Sequence, residues 1–505
     1  MNLFKRKKPL KILFVASEAA PFAKAGGLGE VMYSLPRALN RLGHDARVMI
    51  PKYLGIDTQK FPMETVLEGL YVPNGDKDPL ICNIKMCRQT RADDSPVTTY
   101  FLENQEYYEK RSNIYGYTDD PLRWALLSRG TLEFLRRSKD WTPDVIVASD
   151  WQTGLIPNYL HSSYKDDRVL NKIPVVFSIH NLYYQGMFNH RFVSEMDYDS
   201  GQGPVPEISD LKLMKINFMR RGIMYADIIN TVSENYAKEI TTPEYGELLD
   251  DLLRERRSRL FGILNGIDYT SRNSETDPYL EVNFGLNSID QRIKNKLALQ
   301  NQVNLPKDEN AFIFGIISRL TEQKGIDLFV DAADAFLRNF KAQFVILGTG
   351  DSKYMDFLKG LKEKYPHVIV EHFNYEEAFS HQLLAGCDAV LIPSKFEPCG
   401  LVQMEAMRYG AIPIVRATGG LAESVIDYNP QKDSGTGFVF SRFDHYALLG
   451  TMIRAVEAYK YKISWMALQR RAMSVDFSWD ASAQKYEKLF ERAIGSHAAA
   501  KKPSH

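Results

Sequence analysis

The chain has 505 residues, too many for one ordinary hydrophobic core, and its 44% hydrophobic and 25% charged residues are the balance of a water-soluble globular protein. Lysine plus arginine and aspartate plus glutamate are equal at 63 each, so no overall charge draws the chain to nucleic acid or to an anionic membrane surface. Two large domains are the simplest expectation for this length.

The N-terminus, MNLFKRKKPL, is basic, and Lys5 to Lys8 read as a solvated tail. The apolar run after it stops at Ser17 and Glu18, too soon for the apolar region of a signal peptide, and reads as a first strand. No segment approaches the roughly 20 apolar residues of a membrane span, so a cytoplasmic location is expected. The strand gives way to PFAKAGGLGE, residues 21 to 30, and then to a helical pattern, EVMYSLPRALNRLG. The third glycine of a dinucleotide fingerprint is missing, and no Gly-x4-Gly-Lys pattern makes a P-loop. The stretch is either a plain strand-to-helix turn or a loop whose glycines let backbone approach an anion at a helix start.

Further strands follow in DARVMIP, DVIVASD, PVVFSIH and ADIINTVS, with a hairpin insert expected over about 70–104. LFGILN reads as a short strand before a cluster of turn residues, which puts a domain boundary near residue 264. A second series then runs AFIFGIIS, AQFVILG, HVIVEHF, DAVLIPS and AIPIVRA. Strands apolar throughout and alternating with helices predict an α/β protein with two doubly wound, Rossmann-like parallel sheets. The expected divisions are 1–263, 264–479, a helix over 480–496 and a disordered tail over 497–505. The four cysteines, Cys82, Cys87, Cys387 and Cys399, lack zinc-site spacing and read as free thiols.

In open parallel sheets ligands bind at the carboxyl ends of the strands, and the chemistry-bearing residues gather there. They are Lys24 with Gly26 and Gly27; Asp150; His180; Arg319 and Lys324; Glu397 with Cys399, Gly400 and Leu401; and Thr418 with Gly419 and Gly420. Each has an ordinary explanation alone: a hydrogen-bonded histidine, a solvated basic edge, or a glutamate capping a helix that starts at Cys399 or Gly400. Their joint placement points to group transfer from a phosphate ester. Arg319 and Lys324 offset charge on a departing diphosphate, and Gly419-Gly420 at a helix start donates backbone N–H groups to it. No metal is then required, and no Asp/Glu/His cluster has magnesium-site spacing.

Over Lys11 to about Arg492 the chain resembles the bacterial glycogen synthases and plant starch synthases. The resemblance is carried by SEAAPFAKAGGLGEV, SDWQTGLIP, HNLYYQGMF, NTVSENYAKEITTPEYG, ILNGIDY, ISRLTEQKGIDL, NYEEAFSHQLLAGCDAVLIPSKFEPCGLVQMEAMRYGAIPIVRATGGL and DFSW. It implies the GT-B architecture, two Rossmann-like domains facing across a cleft, with a C-terminal helix crossing back to the first. It also implies a reaction: glucose passes from ADP-glucose to the non-reducing 4-OH of an α-1,4-glucan, with retention of configuration and without metal or cofactor. Lys24, Gly26 and Gly27 resemble the loop that contacts donor phosphates and glucose, and His180 the residue beside the anomeric carbon. Arg319 and Lys324 resemble the pair that neutralises the diphosphate. Glu397 is similar to the acid that holds the donor sugar, with Cys399, Gly400 and Leu401 beside it. Tyr375 resembles the aromatic that stacks on adenine, and Thr418, Gly419 and Gly420 the diphosphate turn. Asp150 and Asn265 resemble residues that line the cleft in that family.

Three positions depart from the family pattern. Glu30 stands where aspartate is usual, Gln152 replaces a common histidine, and Glu405 completes a Glu-x7-Glu pattern with Glu397. These leave UDP-glucose as the alternative donor. Two other readings stay open: a retaining transferase that makes a different glucoside, and a non-catalytic glucan-binding protein.

Overall fold

The computed structural model describes residues 8–89, 95–186 and 198–501. Lys5 to Lys7 of the basic tail, Met187 and Phe188 of the HNLYYQGMF stretch, and residues 502–505 lie outside them. The chain divides into two compact units: Met1–Val232 with Ala237–Ile263 and Trp479–His505, and Ser233–Tyr236 with Leu264–Ser478.

Unit 1 is built on nine strands: β1 (Lys11–Val15), β2 (Asp45–Pro51), β3 (Glu64–Asn74), β4 (Lys77–Gln89), β5 (Val97–Glu103), β6 (Val145–Ser149), β7 (Val175–Ile179), β8 (Ile228–Thr231) and β9 (Leu260–Gly262). They lie in the order β3-β4-β5-β2-β1-β6-β7-β8-β9. All pairs are parallel except β3–β4 and β4–β5. Every residue of β6, β7 and β8 is buried, as expected where helices cover both faces and no edge of the side-chain pattern meets water. The expected hairpin insert is only partly separate. β3 and β4 form the hairpin, but β5 pairs parallel with β2, Val48 opposite Thr99, so it fuses the hairpin to the main sheet. Helix α1 (Gly27–Arg41) is the first helix after β1, reached through the loop that carries Glu18 and Lys24.

The C-terminal helix, Trp479–Ala500, belongs to unit 1. Arg41 on α1 holds Asp480 at 2.7 Å, and the buried Asn230 amide of β8 donates to the Tyr486 hydroxyl at 3.0 Å. The expected tail from residue 497 is therefore corrected: the helix runs on to Ala500. His497 is its anchor, with Nδ1 2.8 Å from Asp227 Oδ1 and Nε2 2.9 Å from the Asn171 carbonyl. Both partners are acceptors, so both ring nitrogens donate, and the hydrogen bond to Asp227 raises the His497 pKa.

Unit 2 carries β10 (Ile313–Ile317), β11 (Gln343–Leu347), β12 (Ile369–His372), β13 (Ala389–Ile392), β14 (Ile412–Arg416) and β15 (Phe438–Phe440). Their order is β12-β11-β10-β13-β14-β15, all parallel, the dinucleotide-fold order 3-2-1-4-5-6. β15 escapes a sequence reading because three residues between Gly437 and Ser441 are too few to show a period. Among the described residues, no helix is long and apolar enough to cross a membrane.

Candidate active site

Each sheet has one point where the strand order reverses, and there the loops part to leave a crevice beyond the carboxyl ends. In unit 1 that point lies between β1 and β6, and in unit 2 between β10 and β13. The loops that carry the predicted residues leave those strands or their neighbours, except for Tyr375, which follows β12, and Asn265, which follows β9.

In unit 1, Lys24, Gly26 and Gly27 are exposed at the start of α1. The sequence reading missed the residue that shapes this turn. Glu18, buried, accepts the backbone N–H groups of Ala25 and of Gly26, the latter at 3.0 Å. A carboxylate satisfying donors before a helix start is ordinary capping chemistry, and it takes donors that an anion would otherwise compete for. Beyond it, the Lys24 ammonium contacts the Glu30 carboxylate. Both side chains are about half exposed, so this pair is weak and readily exchanged for a stronger anion.

Asp150 follows β6 with φ +56° and ψ −177°, a strained conformation for a residue with a side chain. Two sets of bonds hold it there. Its N–H donates to the Ser178 carbonyl at 2.8 Å, and its Oδ1 accepts the N–H groups of His180 at 2.7 Å and Asn181 at 3.3 Å. The carboxylate thus fixes the backbone at the end of β7, where His180 stands. The His180 ring meets Ser178 Oγ at 3.2 Å. Burial pushes Asp150 up to about 7, the two backbone donors opposing it, and pushes His180 down to about 4, so this imidazole is neutral at pH 7. Gln152 is buried, and its Oε1 has no partner among the described residues.

These shifts oppose each other in stability. His180 has an ordinary value of 6.5, so its depression adds stability that is present above that pH and lost as pH falls through about 4. Asp150 starts from 3.8, and its elevation removes stability progressively as pH rises to about 7. Asp150→Asn keeps the acceptor oxygen and abolishes the titration. Its melting temperature is therefore expected to climb from pH 4 to 6.5 more steeply than that of the wild type. Parallel melting curves against pH for the two proteins would contradict the assignment.

In unit 2, Arg319 is exposed just past β10, with Nη2 3.5 Å from Gln323 Oε1. Lys324 ends a 3-10 turn, Glu322–Lys324, and its Nζ lies 2.5 Å from Glu397 Oε2. Glu397 is 8% exposed and also accepts from Ser394 Oγ at 3.2 Å. Loops from β10 and β13 thus place a cation and a carboxylate side by side at the switch point. The helix after Glu397 is Val402–Arg408, which corrects the expected start at Cys399 or Gly400. Gly400 has φ +71°, and Leu401 is the residue before the first helical turn, so the chain turns once more before the helix begins.

Gln403 is a second residue that the sequence did not single out. Its amide donates to the Cys399 and Gly400 carbonyls at 3.2 and 2.9 Å and to Ser424 Oγ at 3.1 Å, tying this loop to the helix Gly419–Ser424. Thr418 precedes that helix, and Gly420 N–H donates to the Glu397 and Pro398 carbonyls, both at 3.2 Å. The Cys399 thiol is pushed up to about 12 by burial, so it packs as an inert thiol. Asn265 is buried, and its Oδ1 has no partner among the described residues.

Tyr375 stands beyond β12, 59% exposed. Arg272 is beside it, paired through Nε with Glu405 Oε1 at 3.2 Å; burial works to lower the Arg272 pKa, but Glu405, Tyr375 and Tyr409 together raise it. The Glu405 departure is thereby accounted for locally as the partner of Arg272. Among the described residues no group of three or more His, Cys, Asp or Glu could hold a metal ion.

Two family models match the chain in order: the starch synthase catalytic domain over residues 11–255 and the glycosyl transferases group 1 over residues 299–465. A glycogen synthase of Clostridium perfringens is 42% identical over 490 residues, 96% of this chain and 99% of that protein. A glycogen synthase of Desulforamulus reducens is 40% identical over 489 residues, 96% and 99%. The catalytic domain of starch synthase IV from Arabidopsis thaliana, bound to ADP and acarbose, superposes with a TM-score of 0.82 at 32% identity, covering 97% of this chain and all of that one. The two mainly parallel sheets, the residues at their switch points and these full-length likenesses have one reading: the chain belongs to the glycogen and starch synthase family of GT-B glycosyltransferases.

Proposed function

We propose that this hexosyltransferase takes glucose from ADP-glucose and adds it to the non-reducing 4-OH of an α-1,4-glucan, with retention, so elongating glycogen in the cytoplasm. The observation that carries the reading is the Lys324–Glu397 pair at the unit 2 switch point, packed against the Gly420 turn. An ammonium beside a mostly buried carboxylate offers one group to a leaving diphosphate and the other to sugar hydroxyls. Arg319 adds a second cation for the diphosphate, Thr418 and Gly419 form the turn that meets it, and Tyr375 offers an exposed ring for adenine to stack on. Asn265, Cys399, Gly400 and Leu401 shape the wall around the donor.

From unit 1, Lys24 leaves Glu30 for donor phosphate or glucose, and Gly26 and Gly27 allow close approach. His180, neutral and with its backbone held by Asp150, presents its carbonyl to positive charge at the anomeric carbon. In this front-face route the bond from C1 to the phosphate oxygen breaks as the bond from C1 to the acceptor O4 forms. The acceptor proton passes to the departing phosphate. No enzyme nucleophile is needed on the opposite face, in contrast to a two-carboxylate double displacement. Arg319 and Lys324 supply the charge that a metal supplies elsewhere, so the transfer is read as metal-free and cofactor-free.

The test is incorporation of radiolabelled glucose into glycogen. ADP-glucose is expected to outperform UDP-glucose, and saturating EDTA to leave the rate unchanged. Transfer to a small sugar without incorporation into glycogen would replace this reading with that of another glucoside-forming enzyme, and no transfer at all with that of a glucan-binding protein.

A further inference from the structure

The Arg272–Glu405 pair has no part in the transfer chemistry above, yet it joins two parts of the donor site. Both side chains are mostly buried, 12% and 16% exposed. Glu405 stands on the helix Val402–Arg408, which follows the Glu397 loop, and takes Arg272 Nε at 3.2 Å. A second nitrogen of the same guanidinium turns to a different helix: Nη1 donates to Ser380 Oγ at 3.3 Å, near the start of the helix Glu377–Gly386. Tyr375 stands two residues before that helix, and its phenol is close enough to act on the guanidinium. One planar fork thus ties the helix behind Glu397 to the segment that presents the exposed ring. The single ammonium of a lysine is a point charge and cannot hold both in fixed geometry.

Each element also has anchors of its own. The helix Glu377–Gly386 is fixed further along by His381, whose Nδ1 lies 2.5 Å from the buried Asp277 Oδ2, and by Arg292, which donates to the Leu384 carbonyl at 3.0 Å. Ser380 Oγ donates to the Glu377 carbonyl at 2.7 Å whether or not Arg272 is present. The segment that carries Arg272 is held to the helix Val402–Arg408 by Arg408 Nη2, 2.9 Å from Asn273 Oδ1. Arg272 is therefore not needed to hold the helices in the sheet, and what it adds is the tie between Glu405 and the segment that carries Tyr375. Tyr375 is 59% exposed. A ring that its ligand must first order costs affinity, and a ring already held by a neighbour avoids that cost.

We infer that Arg272, braced by Glu405, is the positioning residue that holds Tyr375 in place to receive the nucleobase of the donor. The inference rests on the reading of Tyr375 as the ring on which that base stacks. It gives the second glutamate of the Glu-x7-Glu pattern a role exerted through Arg272, without contact to the donor.

Arg272→Lys keeps a charge opposite Glu405 and removes the fork. The full chain is titrated calorimetrically with ADP, UDP and inorganic diphosphate, and the nucleotide that binds wild type more tightly is compared with diphosphate, which shares its phosphates and lacks a base. Arg272→Lys is expected to weaken the nucleotide about five- to tenfold and to leave diphosphate within about twofold. In turnover the loss should fall on KM for the nucleotide sugar more than on kcat. Tyr375→Ala should weaken the nucleotide at least as much, and adding Arg272→Lys to it should cost nothing further, because both substitutions remove one contact. A loss shared equally by nucleotide and diphosphate would make Arg272 a structural tie alone and overturn the inference. So would unchanged nucleotide binding in Arg272→Lys, or losses that add in the double variant. Unchanged nucleotide binding in Tyr375→Ala is a different failure: it would remove Tyr375 from base recognition, and the inference would fall together with that reading.

Discussion

Lys324→Ala is expected to lower kcat/KM for the donor by about 10²- to 10³-fold, the scale of removing one preorganised group that meets charge developing in a transition state. The loss should fall mainly on kcat, because diphosphate charge is greatest as the bond breaks. Lys324 also sits 2.5 Å from Glu397, so the variant leaves that carboxylate with Ser394 as its remaining side-chain donor. A double-mutant cycle with Glu397→Gln divides the two effects. If Lys324 acted only by holding Glu397, the second substitution would add nothing; direct action on the leaving group predicts a further loss. Full activity in Lys324→Ala would remove Lys324 from the proposed chemistry.

Gly420→Ala is expected to destabilise unit 2 by about 3 kcal/mol and to abolish transfer. A Cβ at this position would lie 2.0 Å from the Cys399 carbonyl oxygen and 2.6 Å from its carbon, and these are backbone atoms that cannot rotate away. The same peptide donates to the Glu397 and Pro398 carbonyls, so relieving the clash would separate the loop that carries Glu397 from the turn at Thr418 and Gly419. Gly450→Ala is the control. It lies in the helix His445–Tyr459, and a Cβ there meets nothing within 4 Å; alanine is expected to stabilise that helix by about 0.5–1 kcal/mol. Urea unfolding of both variants, with turnover measured alongside, makes the comparison. Wild-type stability and turnover in Gly420→Ala would show that these loops need no close contact.

The strands were legible where apolar runs were long enough to outweigh their surroundings: β1, β6, β7, β10, β11, β13 and β14 all lie in runs picked out by composition alone. β15 is not, being three residues long, and β5 reads as part of the hairpin because its pairing with β2 is a long-range choice. The C-terminal residues after Gly495 look like a polar tail, and only the contact of His497 with Asp227, 270 positions away, shows why the helix continues. The predicted site residues were found by their position after strands. Glu18, Gln403 and Arg272 do not stand out in the sequence, since a buried capping carboxylate, an amide that staples two loops and an arginine between Tyr375 and Glu405 carry no local signature.

By itself the sequence determined the fold class and the residue types offered at each strand end, because alternation of apolar strands with helices and the choice of side chain after a strand are both local properties. Tertiary structure alone decided which ends meet. Strand order brings Lys324 to Glu397 across the switch point, sets the Asp150 carboxylate under the His180 backbone, and presses Gly420 against Cys399. Those are contacts between residues 30 to 73 positions apart or across neighbouring loops, and nothing in a linear pattern encodes the burial that moves Asp150 and His180 in opposite directions. Even at Glu30 the sequence showed only an extra methylene, whereas the folded loop shows its carboxylate in contact with Lys24.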